Sequence, residues 1–251
     1  MKSNLKVSVV VVVLNDLYGF KKTFESILMQ DFDNIELNVI DGSSSDGTKE
    51  FIRTNLKDIN NFISESDNGI YDAMNKGVEL SDGDFIIFLN SSDIFADSKV
   101  ISTAVRFLEK EPGKVFYGDS LWGKSNIITK GSYNLSWSIF PNHQTMFFPS
   151  QFLKSNPFNT KYSIAADIEH KLHAYLANNV SYMNFIVSHC DDNGISQQIF
   201  SIKKYWKNNM DILKIYKNSN AVSARFIIFF CTRVSLGILK RLYLIFFRKN
   251  G

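Results

Sequence analysis

Six valines, one serine and Leu14 make a continuous run from Val7 to Leu14, which stops at Asn15-Asp16. Valine is stiff at χ1 and disfavoured in helices, and a stretch this uniformly apolar has no polar face to turn to water. It reads as a strand buried on both sides, the kind found in parallel sheets covered by helices. Lys2 and Lys6 ahead of it give a superficial likeness to a secretion signal, but the run is rich in β-branched residues and no small-residue cleavage site follows.

The first half of the chain keeps alternating in the same way. Phe20, Phe24, Ile27 and Leu28 fall at helical spacing in 18–29, and Ile35–Ile40 is the next strand. The turn Asp41 to Gly47 is dense in Ser and Asp and sets up a helix near Thr48, with Asp46 read as a cap or turn residue. Asn61–Ser64 reads as a short strand, Ile70–Leu80 as a helix and Asp84–Leu89 as a strand. Strand–helix alternation predicts an α/β fold, a mostly parallel Rossmann-like sheet with helices on both faces. Ligands of such sheets bind beyond the carboxyl ends of the strands. Polar residues gather at those ends: Asn15-Asp16, Asp41-Gly42, Ser66-Asp67 and Asn90 to Asp93.

After Ser98 the pattern loosens. A helix near Lys99–Glu109 and a strand at Lys114–Tyr117 continue the core; 119–150 reads as short strands and loops, and Ala165–Ala177 as a helix. The economical division is one body, 1–200, with a nucleotide-binding half (1–97) and a second half (98–200), plus an appendage, 201–251. The appendage carries 11 Lys/Arg against one acid, Asp211, whereas residues 1–200 hold 17 bases and 24 acids. Cys190 and Cys231 have no paired spacing, so no disulfide framework or zinc site is expected.

Four blocks together resemble glycosyltransferase family 2, whose members have the GT-A fold. They are Val9 to Asn15, Val39 to Thr48, Glu65 to Gly77 and Phe88 to Asp93, in the family's order. The resemblance is clear to about residue 97 and patchy to about 196, and is nearest to members that build bacterial surface polysaccharides such as O-antigen or capsule. It implies transfer of a sugar, hexosyl or N-acetylhexosaminyl, from a UDP-, GDP- or dTDP-sugar to a glycan acceptor carried on a polyprenyl lipid, with inversion at the anomeric carbon.

The resemblance also implies roles residue by residue. Leu14 and Asn15 border the donor, and Asp41 accepts from the nucleobase, where the ordinary alternative is a turn aspartate before Gly42. Asp67, Asn75 and Lys76 lie toward the diphosphate. Many relatives have an Arg-Asn pair where this chain has Met74-Asn75. Asn90, Ser91, Ser92 and Asp93 stand in the place of the family's Asp-X-Asp motif. Its first acid is replaced, so Asp93 is the expected ligand of a divalent cation, Mn²⁺ or Mg²⁺, with Asn90 and Ser91 assisting through neutral oxygens. The alternative is that Asn90 and Asp93 cap a following helix.

Asp167, in Ala165-Ala166-Asp167, matches the family's catalytic base, with Glu169 as the fallback; a first-turn helix acid is the plain alternative. His143 and Gln144 resemble a His-Gln element on the acceptor side of the cleft. His170 and His173 read as surface or packing residues. Asp192 to Ser196 looks like the loop that closes over the donor.

In the tail, Phe226–Cys231 and Leu242–Phe247 are apolar, with Arg233, Lys240 and Arg241 between them. A spanning helix needs about 20 largely uncharged residues, so amphipathic helices lying on a membrane surface are expected instead. Packing on the body or on a partner protein is the alternative. The expected setting is the cytoplasmic face of the inner membrane, without nucleic acid. Two competing functions are a nucleotidyltransferase, which wants a Gly-rich basic loop that Asn15-Asp16-Leu17-Tyr18 does not supply, and a non-catalytic nucleotide-sugar-binding or assembly protein.

Overall fold

Alternate valines of the first strand, β1 (Val7–Val13), go to opposite sides of the sheet. Val9, Val11 and Val13 pack with Phe20, Phe24 and Ile27 of α1 (Leu17–Leu28). Val10 and Val12 lie in the other core, with Tyr71, Met74 and Val78 of the helix spanning Ile70–Leu80. One strand thus anchors both helical layers, as its unbroken apolar run requires. The computed structural model describes residues 3–123, 127–135, 139–162, 164–191 and 201–247.

The chain continues with β2 (Ile35–Asp41), α2 (Thr48–Thr54), β3 (Asn61–Ser64), α3 (Ile70–Leu80), β4 (Phe85–Asn90) and β5 (Ile94–Phe95). Then follow α4 (Val100–Leu108), β6 (Val115–Trp122), β7 (Ile127–Thr129), β8 (Met146–Pro149), α5 (Ser150–Ser155), α6 (Ala166–Leu176) and β9 (Val180–Cys190). The sheet runs β3-β2-β1-β4-β8-β6-β9-β5, and β7 pairs antiparallel with the end of β6. β1 to β4 are mutually parallel, with Val12 opposite Asn90, Val13 opposite Asp41 and Asp41 opposite Ser64. This register brings the polar strand ends to one edge.

The elements expected in the first ninety residues stand within a residue or two of their observed bounds. Beyond them the sheet is mixed. β8 runs antiparallel between β4 and β6, and β9 pairs parallel with β6 across a shift in register after Tyr117. The strand expected at Lys114–Tyr117 extends to Trp122. Asp93 caps no helix, because β5 follows it and α4 begins only at Val100.

The appendage is a helical hairpin of α7 (Ile202–Asn218) and α8 (Ala224–Phe247). Ile212, Ile215 and Tyr216 of α7 pack on Ala165 and Leu172 at α6. Phe226 of α8 stacks on Tyr216 with centroids 4.0 Å apart. At the other end of the hairpin, the Tyr205 hydroxyl donates to the Arg233 carbonyl at 2.9 Å. Among the described residues, no helix is long and apolar enough to cross a membrane.

Candidate functional site

The carboxyl ends of β1, β2 and β3 carry a network of short side chains. Asn15 takes a left-handed backbone (φ 50°), and its Oδ1 accepts from the Ser45 amide at 2.8 Å while its own amide donates to Ser44 Oγ at 2.8 Å. Leu14 beside it is exposed. Asp41 is fully buried; it accepts from the Ser44 amide at 3.1 and 3.2 Å and from the Ser64 hydroxyl at 2.6 Å. Its carboxylate organises the loop, so the turn role is realised. The half-buried Asp67 caps the Gly69 amide at 2.9 Å. A Cβ on Gly42 would come within 2.7 Å of Asp67 Oδ2, so the glycine leaves room for the Asp67 carboxylate to approach the end of β2.

The two residues expected toward the diphosphate have protein partners. Both ends of the Asn75 amide are bound to the backbone of Phe158, Nδ2 to its carbonyl at 2.9 Å and Oδ1 to its amide at 2.8 Å. Asn75 clasps the segment after α5 to α3. Lys76 pairs with Glu65 at 2.8 Å and with Asp72 at 3.6 Å, and its Nζ lies 3.4 Å from the Ser66 carbonyl. Asp46 takes the turn role expected of it, accepting from the Leu17 and Thr48 amides.

At the end of β4, Ser92 also has a left-handed backbone (φ 75°), and its hydroxyl donates to Asp16 Oδ2 at 3.0 Å. The Ser91 amide donates to the Val12 carbonyl at 3.2 Å, tying the turn to β1. Asp93 is 4% exposed: Oδ2 accepts from Gln144 Nε2 at 2.9 Å and Oδ1 from the Asp191 amide at 3.0 Å. Burial raises its carboxyl above the ordinary value, against the pull of these two donors. Cys190, in the adjoining strand, is a free and fully buried thiol that burial pushes up to about 12.

A second group reaches the same place from the other half of the sheet. His143 opens a 3-10 turn before β8; its Nε2 lies 3.2 Å from Asn90 Nδ2 and its Nδ1 3.6 Å from Asp167 Oδ2. Asp167, in the first turn of α6, also meets the Tyr71 hydroxyl (2.9 Å to Oδ1) and the Lys171 ammonium (2.6 Å to Oδ2). Burial alone would raise its carboxyl, but Lys171 and His143 outweigh that and hold it well below the usual carboxylate range. The row Asn90, His143, Asp167 joins the donor-side strand end to α6.

Tyr71 and Lys171 received no role from the sequence. The i, i+4 spacing of Asp167 and Lys171 was the available signal. His170 proves to be a packing residue, 3% exposed, with its ring 4.2 Å from that of Phe158, and burial pushes its imidazole down to about 4. His173 is exposed, and Glu169 is half-buried on α6 with Asp167. The loop Asp192 to Ser196 lies outside the described residues.

Among the described residues, no three His, Cys, Asp or Glu side chains converge on one point. The groups at this strand end that could hold a cation are the Asp93 carboxylate and neutral oxygens. Asn90 Oδ1 is buried without a hydrogen-bond partner, an acceptor waiting for a donor or a cation. Such a set fits Mg²⁺ or Mn²⁺ only when the ion is shared with the oxygens of a bound diphosphate.

Comparison with known proteins identifies the family. The family model "Glycosyl transferase family 2" matches residues 8–165. A PGL/p-HBAD biosynthesis glycosyltransferase of Mycobacterium bovis is 28% identical over 203 residues, covering 76% of this chain and 79% of that protein. An uncharacterized glycosyltransferase of Mycobacterium tuberculosis is 32% identical over 206 residues, covering 78% of each.

Solved structures with the same fold include S. aureus TarS 1-349 in complex with UDP-GlcNAc (TM-score 0.71, 19% identity, 98% of this chain and 75% of that one). The mannosyltransferase PcManGT of Pyrobaculum calidifontis, in complex with GDP-Man and Mn²⁺, aligns with TM-score 0.65 and 13% identity over 93% of this chain and 70% of that one. Against a longer TarS structure, this chain spans 40% of the other's length. With its GT-A fold and the family model matched over more than half its length, the chain belongs to glycosyl transferase family 2 and is a nucleotide-sugar-dependent glycosyltransferase.

Proposed function

We propose that the chain transfers a hexosyl or N-acetylhexosaminyl group to a polyprenyl-lipid-linked glycan during assembly of a surface polysaccharide, with Asp167 as the base. The observation that carries this reading is the row Asn90, His143, Asp167 at the carboxyl ends of the strands. It sets an ionised carboxylate beside the strand end where the family binds its donor.

The acceptor O–H gives its proton to an Asp167 carboxylate oxygen. The freed electron pair forms the new bond to the anomeric carbon, and the bond to the diphosphate breaks with its electrons on the leaving oxygen. His143, one ring nitrogen toward Asp167 and the other toward Asn90, orients the base and lines the acceptor side with Gln144. Asn15, Asp67 and the serines of the 43–45 loop shape the edge that receives the nucleoside. Asp93 and the unpartnered Asn90 Oδ1 are the groups that would hold a divalent cation, which when bound would neutralise charge on the leaving diphosphate.

The α7–α8 hairpin, taken as an appendage to the 1–200 body, supports docking on a membrane surface at the cytoplasmic face. Ile227, Ile228 and Leu236 of α8 are 49%, 68% and 61% exposed. Trp206 and the lysines 203, 204 and 207 stand exposed on α7. Apolar residues with a basic surround suit an anionic lipid interface. Retention of the chain on phosphatidylglycerol vesicles but not on phosphatidylcholine vesicles supports docking; equal absence from both refutes it.

The whole reading is tested by a thermal-shift panel of UDP-, GDP- and dTDP-sugars with and without Mn²⁺. Stabilisation by one nucleotide class, larger with Mn²⁺, is expected. No stabilisation by any sugar nucleotide contradicts it.

A further inference from the structure

Lys171 is a buried lysine that the reaction scheme leaves unused. Its side chain is 7% exposed, and its ammonium lies 2.6 Å from Asp167 Oδ2. Exposed i, i+4 pairs contribute little, but a lysine taken out of water costs several kcal/mol unless a carboxylate meets it. Here the carboxylate is itself the proposed base. Tyr71 meets the other oxygen, its one hydroxyl proton shared between Asp167 Oδ1 at 2.9 Å and the Ile164 carbonyl at 2.8 Å. His143 approaches from the turn before β8. From α6 itself His170 is packed against Phe158 and His173 is exposed. Among the described residues of α3, the 3-10 turn and α6, Lys171 is the lysine seen in contact with Asp167.

We propose that Lys171 is a positioning residue for the transfer: its ammonium keeps the buried Asp167 carboxylate ionised and, with the Tyr71 hydroxyl, fixes its orientation toward the acceptor side. Arrival of the acceptor proton leaves Lys171 without a counter-ion. The ion pair thus weakens Asp167 as a base and in exchange keeps it unprotonated wherever the enzyme works. The inference rests on the reading of Asp167 as the base.

The experiment is the pH profile of nucleoside diphosphate release from the sugar nucleotide that the thermal-shift panel selects, in the presence of a bacterial membrane lipid extract. The wild type should show no acid limb between about pH 5 and 8. Lys171→Met should bring an acid limb into that range, displaced upward by at least about one pH unit, and Lys171→Arg should remove it again. Donor affinity should stay within about twofold of wild type in both. If Met does not fold, Lys171→Gln, which keeps a donor and drops the charge, carries the same expectation. A Lys171→Met or Lys171→Gln enzyme with the wild-type profile overturns the proposal. So does a limb that Arg fails to remove. Full activity in Asp167→Asn instead refutes the base reading and is thereby told apart from failure of the lysine's role.

Discussion

Gln144 donates from Nε2 to Asp93 Oδ2 at 2.9 Å, across 51 positions of sequence. This contact ties the acceptor-side turn to the end of β4, and both residues are buried, at 8% and 4% exposure. Replacing Gln144 by Leu removes one of the two donors that offset the burial of the Asp93 carboxylate. The expected cost is about 1–3 kcal/mol of stability at pH 7. Chemical unfolding of the variant checks it, together with loss of most transfer activity.

Asn90 stands where a second acid would make a stronger cation site. Asn90→Asp should lower the Mn²⁺ concentration needed for half-maximal stabilisation of the donor complex by about tenfold. The readout is a Mn²⁺ titration of the melting temperature with a saturating sugar nucleotide. No change would remove Asn90 from the neighbourhood of the ion.

Glu36 lies at the opposite end of the sheet from the site. It is 2% exposed and accepts from Lys6 Nζ at 2.8 Å, the Ser8 hydroxyl, Asn38 Nδ2 and the Asp82 amide. Burial favours its protonated form, but Lys6 and the other donors win, and its carboxyl is lowered. A carboxyl lowered on folding contributes stability above its unfolded value, and that contribution fades as pH falls through the folded value. Glu36→Gln should cost about 2 kcal/mol at pH 7 and lose less than wild type between pH 5 and about 3. Urea unfolding at those pH values measures both.

Gly77 faces β1 from α3, and a Cβ there would come within 2.3 Å of Val10 Cγ1. Val10 is branched, fully buried and held in the central strand, so it has nowhere to turn. Gly77→Ala should destabilise by about 1–3 kcal/mol despite alanine's better helix propensity. An unchanged melting temperature would show that α3 shifts freely on the sheet.

The donor half was readable because its signals are local. Val7–Val13 has to be a buried strand, and the Ser/Asp turn after Ile40 has to stop one element and start the next. What stayed hidden depends on contacts between distant positions. β9, Val-Ser-Tyr-Met-Asn-Phe-Ile-Val-Ser-His-Cys, mixes polar and apolar residues with no clean period, and its place is set by parallel pairing with β6. Asn75 sits inside one of the four blocks that carry the resemblance, yet its amide serves Phe158, 83 positions away. Asp41 shows the same limit: nothing local reveals that Ser64, on the next strand, takes up its carboxylate. Asp167 was found through resemblance, but its partners Tyr71 and His143 became visible only when α3 and the turn before β8 met at α6.

The most direct test of the central claim compares wild type and Asp167→Asn. Both receive the preferred sugar nucleotide, Mn²⁺ and the same lipid extract, and nucleoside diphosphate release is followed alongside donor binding by calorimetry. The account predicts unchanged donor affinity and a fall in turnover of about 10²- to 10⁴-fold. Turnover within a few-fold of wild type, with donor still bound, would contradict it.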